Sequence, residues 1–138
     1  YYSGWYTKGI LEKRRGNAAL AQAYFDSSEQ VLTRKIAGNP NSTSATWDHL
    51  LLGLSLAESG EYSAAIAHVV QGKLGQRDDA RYLSAVIYAK SGQIDAAMQE
   101  ITAAIALRPY WVDLVRYDLG FERIRSDPRF ESLLVQYD

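Results

Sequence analysis

The sequence has no cysteine, and this absence removes several classes of function at once. Disulfides, metal sites built on thiolates and cysteine nucleophiles are all excluded. An excess of charge of one sign is also lacking, because 15 basic residues face 16 acidic residues and leave a formal net charge of −1. Such a balance gives no electrostatic reason to expect a nucleic acid or an anionic membrane as the partner.

Long hydrophobic runs are missing as well. The longest, residues 50–57, is interrupted by Gly53 and Ser55, and it is far shorter than the roughly 20 residues that span a bilayer. The chain does not open with the basic and then apolar segment of a signal peptide. We therefore expect no membrane partner and a cytoplasmic location, with the periplasm as the alternative. Because the first residue is Tyr1 rather than Met, we expect a piece of a longer protein.

What the sequence does contain is helical periodicity. Of its 138 residues, 47% are hydrophobic, which is typical of a folded domain. Along residues 94–107, apolar side chains recur every three or four positions, as on a helix with one buried stripe. The alternating Val, Ile and Thr runs that indicate strands are almost absent. The sequence therefore predicts an all-α fold.

Three segments repeat one pattern: a helical stretch, a glycine, and a second, alanine-rich helical stretch. The turn glycines are Gly16, Gly60 and Gly92, which are 44 and 32 residues apart. Gly92 follows a helical stretch that ends at Lys90 and Ser91, which is the expected place for a left-handed residue that caps a helix. The longer first interval predicts an elongated helix over residues 18–37 and a polar loop over residues 38–44.

Small residues recur at two further positions of the pattern. The residues predicted at the crossing of the paired helices are Gly9, Gly53 and Ala85. The small residues in the second helix of each pair are Ala21, Ala65 and Ala97. Small side chains let two helix backbones approach closely. The pattern resembles the tetratricopeptide repeat (TPR) family, whose helix pairs repeat at about 34 residues. The resemblance covers residues 3–109 and closes with Pro109.

The resemblance implies a right-handed helix–turn–helix solenoid. About three TPR-like pairs, roughly residues 3–37, 44–75 and 79–109, would be followed by capping helices in residues 110–138. A solenoid has to cover its last apolar face, and a terminal amphipathic helix can do so. This tail is similar to the closing segment of TPR regions that end bacterial signalling proteins, among them adenylate cyclases, kinases and winged-helix regulators.

Within the tail, the start of the final helix can be placed from two residues. Asp127 stands before Pro128, and Asp is a good cap for free helix amides while Pro suits the first turn. The apolar side chains that this helix would place on one face are Phe130, Leu133 and Leu134.

In the TPR family the first helix of each pair lines a concave groove. Carried over by resemblance, the lining of a peptide-binding groove would be Tyr6, Ile10, Lys13, Arg14, Trp47, Leu50, Leu54, Glu58, Tyr82, Val86 and Lys90. Aromatic side chains with charges at the rim suit an amphipathic peptide or helix. The alternative is that the apolar members belong to the core. The carboxylate clamp of one TPR subclass is not supported, because Tyr6 and Ile10 stand where that clamp has Lys and Asn.

Motifs for catalysis and metal binding are weak. Ser55 lies in a sequence that approaches a nucleophile elbow, but it falls within a predicted helix rather than at a strand–helix turn. His49 and His68 are the only histidines, and they fall on different predicted helices without a further ligand at metal spacing. We predict no catalytic residue, no metal site and no cofactor.

Together these observations predict a non-catalytic scaffold for protein–protein interaction or regulation. It would bind a protein or peptide partner as part of a larger signalling or transcription-regulating protein. Two alternatives stay open. One is a structural module that self-associates into a homo-oligomer through apolar surface on its outer helices. The other is a small-molecule sensor or enzyme with its site in the concave pocket.

Overall fold

The computed structural model of the chain describes residues 2–72 and 77–138, with the side chains of residues 2 and 3 left out. Every regular element in these ranges is helical, which confirms the all-α prediction there. The helices are α1 (Tyr2–Arg14), α2 (Ala18–Gly38), α3 (Thr43–Glu58), α4 (Tyr62–Gln71), α5 (Asp78–Lys90), α6 (Ile94–Leu107), α7 (Trp111–Tyr117), a 3₁₀ helix (Leu119–Ile124) and α8 (Pro128–Val135).

Three turns of the same geometry join α1 to α2, α3 to α4 and α5 to α6. Their central glycines, Gly16, Gly60 and Gly92, have φ angles of +84°, +79° and +77°. In each turn the glycine N–H donates to the carbonyl three residues earlier at 3.1 Å, and the next N–H donates to the carbonyl five residues before it at 2.9 Å. These two bonds define a Schellman cap. The left-handed cap predicted at Gly92 is therefore confirmed, and the turn glycines Gly16 and Gly60 adopt the same conformation.

The helix that follows each turn starts in the same way. Its first buried residue is an alanine whose N–H donates to the carbonyl of the residue after the glycine, at 2.9–3.0 Å. These alanines are Ala21, Ala65 and Ala97, and each is almost completely buried. The repeat seen in the sequence is thus a repeat of local backbone structure.

The chain folds into two compact units that divide between residues 72 and 73. The first unit contains α1 to α4. Gly9 on α1 lies against the ring of Phe25 on α2 so closely that an added Cβ would be 2.5 Å from Phe25 Cε1. The prediction of a tight crossing at Gly9 is therefore confirmed, and Gly53 and Ala85 are also buried.

Polar contacts connect α2 to α3 within the first unit. The hydroxyls of Ser28 and Ser55 are hydrogen-bonded at 2.8 Å in the core, and Lys35 Nζ lies 3.2 Å from Asp48 Oδ1. Helix α3 begins where the Ser42 hydroxyl accepts a hydrogen bond from the Ala45 N–H at 3.0 Å. The predicted polar loop therefore ends slightly earlier than residue 44, because this N-cap starts α3 at Thr43.

The second unit is built on the α5–α6 hairpin. Arg81 on α5 pairs with Glu100 on α6 at 3.2 Å. The tail after α6 then packs on both helices, and α8 starts as predicted, with the Asp127 carboxylate accepting the Arg129 N–H at 2.9 Å. The three apolar side chains assigned to one face of the last helix are buried: Phe130, Leu133 and Leu134.

The predicted boundaries are not all comparable with the structure. Residues 73–75, which end the predicted second pair, lie outside the described residues. The division into repeats and caps at residue 109 stays a prediction. Within residues 2–72 and 77–138, no helix has both the length and the hydrophobicity that a membrane-spanning helix needs.

Candidate binding surface

Eight of the predicted groove residues lie in the first unit, and their exposure differs. Tyr6 and Ile10 on α1 and Trp47 on α3 are half-buried. Leu50 and Leu54 are core residues with exposed fractions of 0% and 6%. The Leu50 side chain packs against the backbone where α4 ends, since a Cβ on Gly72 would be 2.7 Å from Leu50 Cγ. The two leucines therefore offer a ligand almost no surface.

The structure brings together two of the predicted charged residues, Lys13 and Glu58. Lys13 Nζ lies 2.9 Å from Glu58 Oε2, which joins the end of α1 to the end of α3. The Glu58 side chain is 1% exposed, whereas that of Lys13 is 56% exposed. A buried carboxylate is costly without a partner, so Lys13 stabilises the fold here. The neighbouring Arg14 is exposed.

The remaining three predicted groove residues form one stripe on α5, and the tail of the chain covers it. The side chains of Tyr82 and Val86 are only 8% and 5% exposed. Gly120 lies on Val86 so closely that a Cβ there would be 2.9 Å from Val86 Cγ1. At the end of the stripe, Arg123 Nη1 donates to the Lys90 carbonyl at 2.5 Å. The 3₁₀ helix therefore occupies the face that the resemblance assigned to a ligand.

Tyr82 is the centre of this covered stripe. Its ring stacks on Trp111 with centroids 4.5 Å apart and meets Phe121 edge-on at 5.7 Å. Its hydroxyl donates to the Asp118 carboxylate, which also accepts the Gly120 N–H at 2.7 Å. Burial and this hydrogen bond raise the pKa of the Tyr82 hydroxyl. Tyr82 and Asp118 are therefore a structural pair that fixes the start of the 3₁₀ helix on α5.

A cleft between α6 and α8 was not found by sequence reasoning. It is a wide cleft, largely open to solvent, with a volume of about 640 Å³. The lining residues are Asp95, Met98, Gln99, Thr102, Pro128, Arg129, Ser132, Leu133 and Gln136. Arg129 lies between two carboxylates, at 2.8 Å from Asp95 and 3.1 Å from Asp127. Spacing along α6 and α8 separately gives no sign that these two faces meet.

Three residues could carry chemistry by their type: Ser55, His49 and His68. Ser55 is fully buried within α3, where its hydroxyl is bonded to Ser28, so the interpretation as a helical residue is confirmed. Among the residues that the structure describes, no group of three or more His, Asp or Glu side chains could hold a metal ion. His49 and His68 lie on different helices, as predicted, but the structure brings their rings into direct contact.

No protein-family model and no curated protein matches this chain.

Proposed function

We propose that this chain is a non-catalytic module that binds a protein or peptide partner. The observation that carries the proposal is the threefold recurrence of one Schellman-capped hairpin, at Gly16, Gly60 and Gly92. Repeated hairpins of this kind resemble TPR arrays, which are built to present extended binding surfaces. On this proposal the hairpins stack as a right-handed solenoid. The module serves a larger cytoplasmic signalling or transcription-regulating protein.

The part of the predicted groove that remains available lies in the first unit. Tyr6, Ile10 and Trp47 are half-buried, so each is partly covered by the fold and partly open to solvent. Tyr6, for example, is held by Phe25 at a centroid distance of 5.9 Å. Binding energy concentrates on such anchored aromatic residues. An amphipathic helix or peptide with its apolar face towards these side chains is the proposed ligand.

This proposal can be tested by selecting binders from a displayed library of amphipathic peptides, with the whole chain as the target. Trp47→Ala and Tyr6→Ala should each weaken the selected peptide at least tenfold by calorimetry, as loss of a binding hot spot does. Tyr137→Ala is the matched control, because Tyr137 is a 37% exposed aromatic residue of the other unit. Failure to select any peptide, or equal affinity in all variants, would contradict the proposal.

One observation favours self-association as a second candidate. Tyr110, Leu114 and Tyr117 are exposed and are spaced so that they follow one side of α7. Exposed apolar surface of this kind is typical of protein interfaces. Light scattering over a dilution series should then show a dimer that Leu114→Ser converts to a monomer. A wild-type monomer at every concentration would remove this candidate.

A further inference from the structure

His49 on α3 and His68 on α4 are arranged end to end. Their Nδ1 atoms are 2.8 Å apart, while the ring centroids are 5.1 Å apart and the ring planes differ by 26°. The centroid distance exceeds the nitrogen distance by 5.1 − 2.8 = 2.3 Å, which corresponds to one ring radius at each end. The two nitrogens therefore point directly at each other, and the rings do not overlap face to face.

This geometry is that of a hydrogen bond between two imidazoles. One Nδ1 must carry a proton and donate, and the other must accept with its lone pair, so the two neutral rings are opposite tautomers. A metal ion cannot lie between the nitrogens as they stand, because each metal–nitrogen bond would need about 2.0 Å. The contact is therefore made by a proton.

The number of protons that the pair can hold follows from this arrangement. A first added proton goes to the free Nε2 of the donor ring, which becomes an imidazolium and keeps its Nδ1–H bond to the acceptor. A second added proton has to go to the acceptor Nδ1, because its Nε2 is already protonated. Both Nδ1 atoms are then donors, the hydrogen bond is lost, and two positive rings face each other.

The surroundings of the pair oppose its charging. Burial is the main cause that lowers the pKa of both rings, and His49 lowers that of His68 further. The Asp48 carboxylate favours the charged form of His49. However, Asp48 is itself bound by Lys35 from α2 at 3.2 Å, and it accepts the Ser44 hydroxyl at 3.5 Å.

We propose that the end-to-end contact of His49 and His68 is a pH-sensitive clasp that joins α3 to α4 and opens when the pair takes up its second proton. This inference does not depend on the proposed binding function. Opening the clasp would loosen α4 from α3 without breaking the α1–α2 hairpin, whose close approach is made by Gly9 and Phe25.

The lowered pKa values of the two rings make the folded protein less stable in acid. Each ring binds protons less readily in the folded protein than at its ordinary pKa of 6.5. As the pH falls below 6.5, the unfolded chain therefore takes up more protons than the folded protein. The free energy of unfolding that the clasp contributes decreases over this range, until the pH lies below the lower pKa values of the folded state. Glu29 acts in the opposite sense, because its raised pKa of about 7 makes the folded state more stable as the pH falls. The test therefore uses a Glu29→Gln background.

The test follows side-chain ¹⁵N chemical shifts and residue-resolved hydrogen exchange of the whole chain from about pH 8 down to the lowest pH at which the chain stays folded. We expect one Nδ1–H and one Nε2–H tautomer at high pH and two separate protonation steps. After correction for intrinsic exchange, amides of α4 should exchange several-fold faster at the acidic end. His68→Gln, and separately His49→Gln, should leave a single step and remove the acid-dependent loosening of α4.

Three results would overturn the proposal. The first is the same tautomer on both rings with independent, identical titration. The second is an acid response of α4 that persists in both Gln variants. The third is a rise in melting temperature with Zn²⁺ or Ni²⁺ that His68→Gln abolishes, because it would show that the rings turn to chelate a metal.

Discussion

At the scale of single residues, the contact of Gly9 with Phe25 sets the distance between α1 and α2. The Phe25 ring is buried, and three of its atoms would lie within 2.9 Å of a Cβ at position 9. A ring held in the core cannot turn away as a flexible side chain would. The spacing of the first hairpin therefore depends on the absence of one side chain.

We predict that Gly9→Ala destabilises the protein by about 1–3 kcal/mol, the usual cost of overpacking a core. Urea denaturation followed by circular dichroism gives the change in midpoint. Gly38→Ala is the matched control, because a Cβ at Gly38 would have no neighbour within 4 Å, and its effect should be neutral or slightly stabilising. Equal midpoints for Gly9→Ala and the wild type would contradict the close approach.

Glu29 lowers the stability of the folded protein at neutral pH. Burial is the main cause that raises its pKa to about 7, and the charges of Asp26 and Glu61 contribute. A carboxyl with a raised folded pKa is favourable when protonated, so its contribution to stability falls as the pH rises from 4.5 through 7. Above pH 7, where Glu29 is ionised, the free energy of unfolding is therefore lowered by the full amount.

We expect Glu29→Gln to raise the melting temperature at about pH 8 by roughly 2 °C, a modest value because the group is partly exposed and screened. The gain should shrink as the pH falls and vanish near pH 4.5, the ordinary value for the group. Thermal melts at several pH values measure it, with Glu131→Gln on the exposed side of α8 as a control. A gain that is independent of pH would count against this cause.

At the scale of elements, the three turns depend on a backbone conformation that only some residues tolerate. Nothing lies within 4 Å of a Cβ at Gly16 or Gly60. Any cost of a side chain there comes from the positive φ angle and not from a clash. The third turn differs, since Arg123 Nη2 would be 3.2 Å from a Cβ at Gly92.

We predict that Gly60→Ala costs about 1–2 kcal/mol, the penalty for an L-residue in the left-handed region. Gly60→Asn should cost clearly less, because Asn visits that region more readily. Chemical denaturation of both variants gives the comparison. If Asn and Ala were equally destabilising, the loss would have to come from something other than the φ angle of residue 60.

The turns show what the sequence could predict and what it could not. Gly92 could be assigned to a left-handed cap because the cap is local: it depends on residues within five positions along the chain. The burial of Tyr82 and Val86 could not be predicted, because it arises from packing of Gly120 and Phe121, more than 30 residues further on. The helical spacing of the α5 stripe is the same whether it faces a ligand or the tail.

The histidine pair illustrates the same limit. His49 and His68 are 19 residues apart, and their meeting depends on how α4 packs back against α3. The cleft between α6 and α8 is another non-local feature, since Met98 and Leu133 approach only through the path of the tail. Helices and turns therefore follow from the sequence here, whereas the sites that several helices build together do not.

At the scale of the whole molecule, charge is close to balanced. The calculated isoelectric point is about 6.1, and protein near zero net charge associates most readily. We predict a solubility minimum near pH 6 and only a small rise towards about pH 8, because the formal net charge at pH 7 is still only −1. Precipitation with ammonium sulfate across this range measures it. A minimum far from this pH would show that exposed apolar surface, rather than net charge, limits solubility.

The path of the tail also matters for how the protein is handled in the laboratory. A fragment ending at Pro109 looks attractive, since it would keep all three hairpins and shed the irregular remainder. It would, however, uncover the Tyr82 ring and the Val86 side chain, which Trp111, Gly120 and Phe121 now shield. The truncated protein would bind unrelated proteins through its newly exposed apolar surface. Screens for genuine partners therefore need the intact chain to avoid false positives.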